Sequence, residues 1–467
     1  MSTWNIWSVP AGVLSLLIIA PVLAIFYSAI LGDTSLWPHL LSTVLPRYIF
    51  NTIVLMLGVG ILSLLFGVSS AWVISRYNFP GRAIFEWALL LPAAVPAYII
   101  AYTYTDLLEY AGPVQNFLRE IFGWTSSKDY WFPNIRSMEG AILVMSSVLY
   151  PYIYLLTRAS FITLPISFFQ TSAIYGKQPF FSVALPLARP AIVAGLALVL
   201  METISDFGTV DYFAFETLTL GVFNVWLGMN SLSGAAQISS ILFFIVVLLL
   251  SLEFIARRNQ RFHERHSRQI SPELEETTPI QKVTFLTICI VPLMLGFVIP
   301  VFVLLNFVFK GYAVFNLSEV FQITSASLTI SLLAAFFIML VSFFLIVVST
   351  YKSNNFQKTL IFLASCGYAF PGTILAVGIV VFIGWLNDLV YFRMSYFAGG
   401  FIVLVFAYCI RFLAVGNGAM RSGISRINPN LIDASRTMGR SFFTTIKRII
   451  IPLTYTNLLV GGILVFV

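Results

Sequence analysis

Glu202 and Asp206 are carboxylates four residues apart in an otherwise apolar run. On a helix that spacing puts both on one face, where their oxygens could line a cation path. An acid inside a membrane span costs about 2.5–3.5 kcal/mol, so it ordinarily faces a cavity or a partner. The competing reading is that the helix has already ended by Asp206 and the acids cap an outer segment. His263-Glu264-Arg265-His266 has the residue types of a helical zinc site. However, one residue separates Glu264 from His266 where that chemistry needs two, and the run is highly charged; solvent-facing histidines are the expectation. No G-x4-G-K-[ST] phosphate cradle occurs, so nucleotide hydrolysis is not expected on this chain. No clustered nucleophile, base or metal set stands out, and no metal site is assigned. The chain reads as something other than an enzyme.

The elements that would position these residues are set by composition. Of 467 residues, 59% are hydrophobic and 10% charged, with mean hydropathy +0.93. A soluble domain carries about 25% charged residues. This chain cannot hide so much apolar surface in a soluble fold, so an all-α polytopic membrane protein is expected. The net charge of +7 then reflects basic loops, not nucleic-acid binding. Cys289, Cys366 and Cys409 all lie in apolar runs and read as small core residues, not a disulfide or metal framework.

A spanning helix needs about 20 apolar residues. Such runs lie near 9–31, 51–75, 84–108, 138–162, 187–206 and 237–256, then near 283–309, 325–349, 358–385 and 396–418; another starts after Pro452. The first run has no basic start and is full length, so it reads as an uncleaved span. With the N-terminus in the cytosol, the cytosolic loops take Arg76, Arg82, Lys177, Arg189, Lys352, Lys358, Arg421, Arg426, Arg436, Arg440, Lys447, Arg448 and the arginines of 257–268. The other side keeps Arg47, Arg119, Lys128, Arg136, Lys310 and Arg393. That asymmetry sets the orientation by the positive-inside rule.

The chain also repeats itself. Gly176 and Gly439 are 263 residues apart, and Pro186 and Pro452 are 266 apart. Each pair sits between two apolar runs, so the copies emerge on one side, as in a parallel repeat with a pseudo-symmetric pore between halves. The reading is a first half at 1–256, a charged linker at 257–282 and a second half at 283–467, with the repeated loops at 163–190 and 421–452. Val467 aligns with Met201, in mid-span, so two six-helix halves, about 12 helices, are expected of the intact protein, with the last one or two missing here.

Within 430–452, Gly439 interrupts two short helical stretches. The second is amphipathic, with Phe442, Phe443 and Ile446 among basic and hydroxyl side chains. Glycine lets the backbone turn sharply, giving an L-shaped surface element. Such an element could insert into a groove of a soluble partner or lie on anionic lipid. Leu91-Pro92-Ala93-Ala94-Val95-Pro96 and Ala369-Phe370-Pro371-Gly372-Thr373 break spans at corresponding places of the two halves, which marks either a translocation site or packing accommodation.

Asp433-Ala434-Ser435-x3-Gly439-x9-Ile449-x-Ile451-Pro452 resembles the E-A-A-x3-G-x9-I-x-L-P loop of bacterial ABC-importer permeases. The earlier copy has Gln170 at the acid position, then Gly176 and Pro186, with three residues fewer between glycine and proline. Ser75-Arg76-Tyr77-Asn78-Phe79-Pro80-Gly81-Arg82, Phe132-Pro133-Asn134-Ile135-Arg136-Ser137, Leu149-Tyr150-Pro151-Tyr152 and Pro186-Leu187-Ala188-Arg189-Pro190 are similar to the fused iron(III) permeases. The resemblance implies a multi-pass protein of the bacterial inner membrane, among lipid. A periplasmic binding protein would hand ferric iron to its outer face. Two ATPase subunits, carrying ATP and Mg, would dock at Gln170, Gly176 and Pro186 and at Asp433, Ala434, Gly439, Ile449 and Pro452. This chain itself would hold no cofactor. Alternatives are a permease for thiamine, polyamine or another solute, and an ion-coupled secondary transporter. The latter would need more ionisable residues deep in the bundle.

Overall fold

The computed structural model describes residues 7–258, 274–311, 316–351, 354–365, 367, 370–390, 400–425 and 427–466. The linker histidines His263 and His266, Cys366, Lys352, Arg393 and Arg426 lie outside them. The chain is an all-α polytopic membrane protein. Among the described residues nine helices are long and apolar enough to cross a membrane: α1 Ser8–Leu31, α2 Leu45–Arg76, α3 Met138–Ile162, α4 Phe180–Ser205, α5 Leu232–Leu249, α6 Pro279–Phe309, α7 Leu317–Tyr351, α8 Phe401–Ile424 and α9 Phe442–Phe466.

The two proline-broken runs depart from straight spans. Arg82–Ala94 and Ala97–Phe122 meet at 91°. Val95 and Pro96 are extended at the break, because a proline ring excludes the helical conformation from the residue before it. In the second half the expected 358–385 span is two helices, Asn355–Ala364 and Gly372–Val390, with Pro371 just ahead of the second.

The helices pack as two compact units. One comprises residues 1–34, 225–243 and 315–467, with α1, α7, α8 and α9; the other comprises 35–224 and 244–314, with α2, α3, α4 and α6. The leading helix of each sequence half therefore packs with the remainder of the other half. In the first unit α1 lies on the Gly372–Val390 helix, and a Cβ added at Gly378 would come 2.5 Å from the Pro21 carbonyl oxygen. In the second unit a Cβ at Gly296 of α6 would come 2.1 Å from the Ser147 carbonyl oxygen. Side chains this small let backbones touch, the main source of helix association in lipid.

Three spans contain a π turn two residues before a proline: Phe180–Ala184 before Pro186, Met294–Val298 before Pro300 and Ile446–Ile450 before Pro452. A proline lacks the N–H and crowds the carbonyl one turn back. Widening the preceding turn relieves that contact. In α6 the Leu295 carbonyl accepts from the Tyr104 hydroxyl at 2.8 Å, which satisfies a group inside the membrane without water.

The described residues hold one short parallel pair, Tyr77–Asn78 (β1) with Glu275–Glu276 (β2). It joins the end of the linker to the end of α2. The Arg76 guanidinium meets Glu275 Oε1 at 2.5 Å, and Thr277 Oγ1 donates to the Asn78 carbonyl at 2.8 Å.

Candidate functional site: two glycine-hinged surface elements

Both repeated loops fold as a short helix, a left-handed glycine and a second arm that runs into a span. The first helix is Ile166–Ile174, and its counterpart is Pro429–Thr437. Gly176 has φ +64° and Gly439 φ +71°. The amide after each glycine returns to the helix: Lys177 N donates to the Ser172 carbonyl at 3.0 Å, and Arg440 N to the Ser435 carbonyl at 3.2 Å. This is the six-to-one closure of a glycine C-cap. A Cβ at either glycine would meet nothing within 4 Å. The positive φ, not crowding, therefore demands glycine here.

A second fastening crosses the hinge. The Ser172 and Ser182 hydroxyls are 2.7 Å apart, and those of Ser435 and Thr445 are 2.8 Å apart. Each pair joins the residue four before the glycine to the residue six after it. In the second element both partners are buried, Ser435 4% and Thr445 1% exposed. Thr445 also donates to the Ser441 carbonyl at 3.2 Å. The hydroxyl bridge fixes the angle between the arms.

The structure also places the three residues by which the copies differ. Each second arm starts three residues after its glycine, and the hydroxyl partners keep the 263-residue spacing. The π turns and prolines keep the 266-residue spacing. Ser182 therefore falls inside its π turn whereas Thr445 precedes its own, and the first copy has about one helical turn less, roughly 4.5 Å, between the hydroxyl bridge and the proline. The hinge itself is alike in both. The loop is expected to end at Pro452 as the span begins, but α9 runs unbroken from Phe442, with Pro452 inside it after the π turn.

Each element is anchored on its inner side. Phe169 and Phe180 pack on Trp72, with ring centroids 6.2 and 5.3 Å away. The Arg76 guanidinium lies 4.4 Å above the Phe169 ring while holding Glu275. In the second element, Ile432 and Ile450 are buried with Met420 and Ile424. Phe442 meets Trp7 at 5.6 Å and Tyr351 at 6.4 Å. The start of α1 thus shares one end of its unit with the second element, as the end of α2 does with the first.

The outward side is apolar at its apex. Tyr175 and Met438, each just before its glycine, are 75% and 73% exposed. Ile174 and Phe443 are exposed beside them, and Lys177 and Arg440 follow each glycine. Gln170, Asp433 and Ala434 are exposed on the first arms; Pro186 and Ile449 are half-buried where the arms join the spans. Exposed apolar patches rimmed by charge mark sites of association.

The two path carboxylates are placed differently from a helical pair. α4 ends at Ser205, and Asp206 is extended, with φ −70° and ψ 118°. Its carboxylate accepts from Thr209 N at 2.7 Å and from Thr209 Oγ1 at 3.1 Å, starting the short Gly208–Tyr212 helix. Glu202 and Asp206 thus do not share a helical face. Burial pushes the Asp206 carboxyl above the usual carboxylate range, against the lowering by its Thr209 hydrogen bonds. Among the described residues no group of three or more His, Cys, Asp or Glu could hold a metal ion.

The fold and its hinged loops define a multi-pass membrane protein with two matched, exposed glycine-hinged elements. No family model matches the chain. Its homologues are transport-system permeases. The chain is 24% identical to the Fe(3+)-transport system permease protein FbpB 2 of Haemophilus influenzae, over 89% of this chain and 78% of that protein. It is 22% identical to the ferric transport system permease protein FbpB of Actinobacillus pleuropneumoniae, over 96% and 68%. The molybdenum transport system permease protein ModB of Escherichia coli K12 is 28% identical over 42% of this chain and 86% of its own length. The resemblance to the iron(III) permeases is borne out along nine-tenths of the chain.

Sequence reasoning found the glycines and prolines but missed the hydroxyl partners Ser172, Ser182 and Thr445, and the anchors Trp7, Trp72 and Arg76. The hydroxyls had a signal: a serine or threonine four before and six after each glycine. The anchors had none, because they come from distant segments.

Proposed function

We propose that this chain is the permease subunit of an ATP-driven ABC importer of the bacterial inner membrane, with its N-terminus in the cytosol. A periplasmic binding protein delivers ferric iron to its outer face. Two ATPase subunits, holding ATP and Mg, dock on the elements around Gly176 and Gly439. Closure of the ATPases pushes both elements, and the hydroxyl bridges across the hinges carry that push into α4 and α9 without letting the hinges fold.

The observation that carries this reading is the duplication of one hinge, hydrogen bond for hydrogen bond, 263 residues apart. A single amphipathic segment would suit lipid equally well. Two matched rigid corners, each continuous with a span, suit a partner that delivers force at two points. The FbpB relatives support iron as the solute.

Co-purification and coupled hydrolysis test it. The wild-type chain should bring down an ATPase whose hydrolysis rises with ferric-loaded binding protein, and Gly439→Asp should abolish the association. Solute uptake by the wild-type protein in vesicles lacking any ATPase would refute it.

A further inference from the structure

Arg411 is the eleventh residue of α8, about 15 Å along the helix from Phe401 and about 20 Å from Ile424. Both distances exceed the reach of its side chain, so the charge cannot snorkel to either membrane surface. An ionisable group at this depth ordinarily faces a partner or a cavity. Among the described residues Arg411 forms no ion pair. Its Nε is buried without a hydrogen-bond partner.

The guanidinium lies against the start of another helix in the same unit. A Cβ at Gly372 would come 2.7 Å from Arg411 Nη1. Gly372 opens the 19-residue Gly372–Val390 helix, at the break after Pro371. The next residue, Thr373, is 5% exposed, and its Oγ1 is also buried without a partner. The first N–H groups of a helix have no acceptor within it and form its positive end. A guanidinium and a helix N-terminus of the same sign are mutually unfavourable until an anion joins them, and Thr373 carries an unpaired buried hydroxyl in that same first turn. The position 263 residues earlier is Val148, so only one half carries this charge.

We propose that Arg411, Thr373 and the first turn of the Gly372–Val390 helix form an anion-binding station within the membrane, and that the solute crosses bearing an anionic oxygen. The inference rests on the permease reading above and deepens it. The oxygen belongs either to an anion accompanying the ferric ion or to a free oxyanion. The absence of a side chain at Gly372 lets the guanidinium reach the helix end.

The test uses the complete transporter, with ATPase and binding protein, in proteoliposomes. Radioiron is supplied with radiolabelled phosphate or citrate, and radiolabelled molybdate is supplied in parallel. Arg411→Gln should cut uptake at least roughly tenfold, a loss of about 1.4 kcal/mol, whereas Arg411→Lys should keep it within about threefold. Gly372→Ala, which displaces the guanidinium without removing its charge, should fall between them. Co-entry of the anion label with iron assigns the anion to the metal. Entry of molybdate without iron, with the same order of variants, keeps the station and removes the ferric assignment. Arg411→Gln uptake equal to wild type overturns the station. So does loss of both Arg411 variants from the membrane, which would mark a purely structural arginine.

Discussion

The Ser435 hydroxyl lies 2.8 Å from that of Thr445, buried across the Gly439 hinge. Ser172 and Ser182 repeat the contact across Gly176. A buried hydrogen bond of this kind contributes about 1 kcal/mol. Ser435→Ala should therefore lower stability by about that much. Thr445→Ala added to it should cost less than when introduced alone, because the two changes remove one shared bond. A double-mutant cycle by thermal denaturation in detergent measures the coupling. Additive losses would mean that the arms are not fastened to one another.

The glycines make a conformational prediction. Gly439→Ala should cost about 1–2 kcal/mol through its positive φ, and Gly439→Asn less, because asparagine tolerates the left-handed region. Open space around the position removes any steric difference. ATPase capture by the Ala and Asn variants should follow the same order, and Gly176 should behave alike. Equal capture by all variants would contradict a conformational role for the hinge.

The linker end should matter through Arg76. Its pair with Glu275 is half-exposed on the Glu275 side, so Glu275→Gln should cost less than about 1 kcal/mol and nothing measurable in high salt. Arg76→Ala should cost more, since it also removes the guanidinium from the Phe169 ring. Melting of the two variants across a salt series separates the parts. A salt-insensitive Glu275→Gln effect would contradict the assignment.

Asp206 gives a pH dependence. Burial raises its carboxyl pKa in the folded protein, so the folded state binds the proton more tightly than the unfolded chain. Stability then falls as pH rises through the interval between the unfolded and the raised folded values. Asp206→Asn should flatten that fall and keep the contact to Thr209 N, whereas Asp206→Ala should lose about 1 kcal/mol of cap. Melting curves across acid to neutral pH test this. If Asp206→Asn is stable yet transports poorly, the carboxylate acts on the solute as well as on the turn.

Much of this fold is written in local chemistry. Runs of about 20 apolar residues announce spans wherever they occur, and α1, α2, α3 and α8 fall where their runs do. Gly176 and Gly439 announce the hinges because glycine takes that φ at no steric cost. The proline breaks show where helices fail but not how far they bend, since the 91° corner before Ala97 depends on what packs against it. Pro452 misleads for the opposite reason: a π turn lets the helix pass through it. The exchange of leading helices has no local signature at all. α1 and α6 are apolar on every side, so composition places them in a membrane without naming their neighbours. Arg411 was readable as a charge in an apolar run; its meaning came only from Gly372 and Thr373, brought alongside by packing.

Photocrosslinkers placed at Tyr175 and Met438, the exposed residues at the two apices, test the central proposal most directly. With the assembled transporter in membranes, both positions should crosslink to the ATPase, and ATP should change the yield at both together. Crosslinking of both positions to lipid, or of only one to the ATPase, would contradict a permease driven through two matched corners.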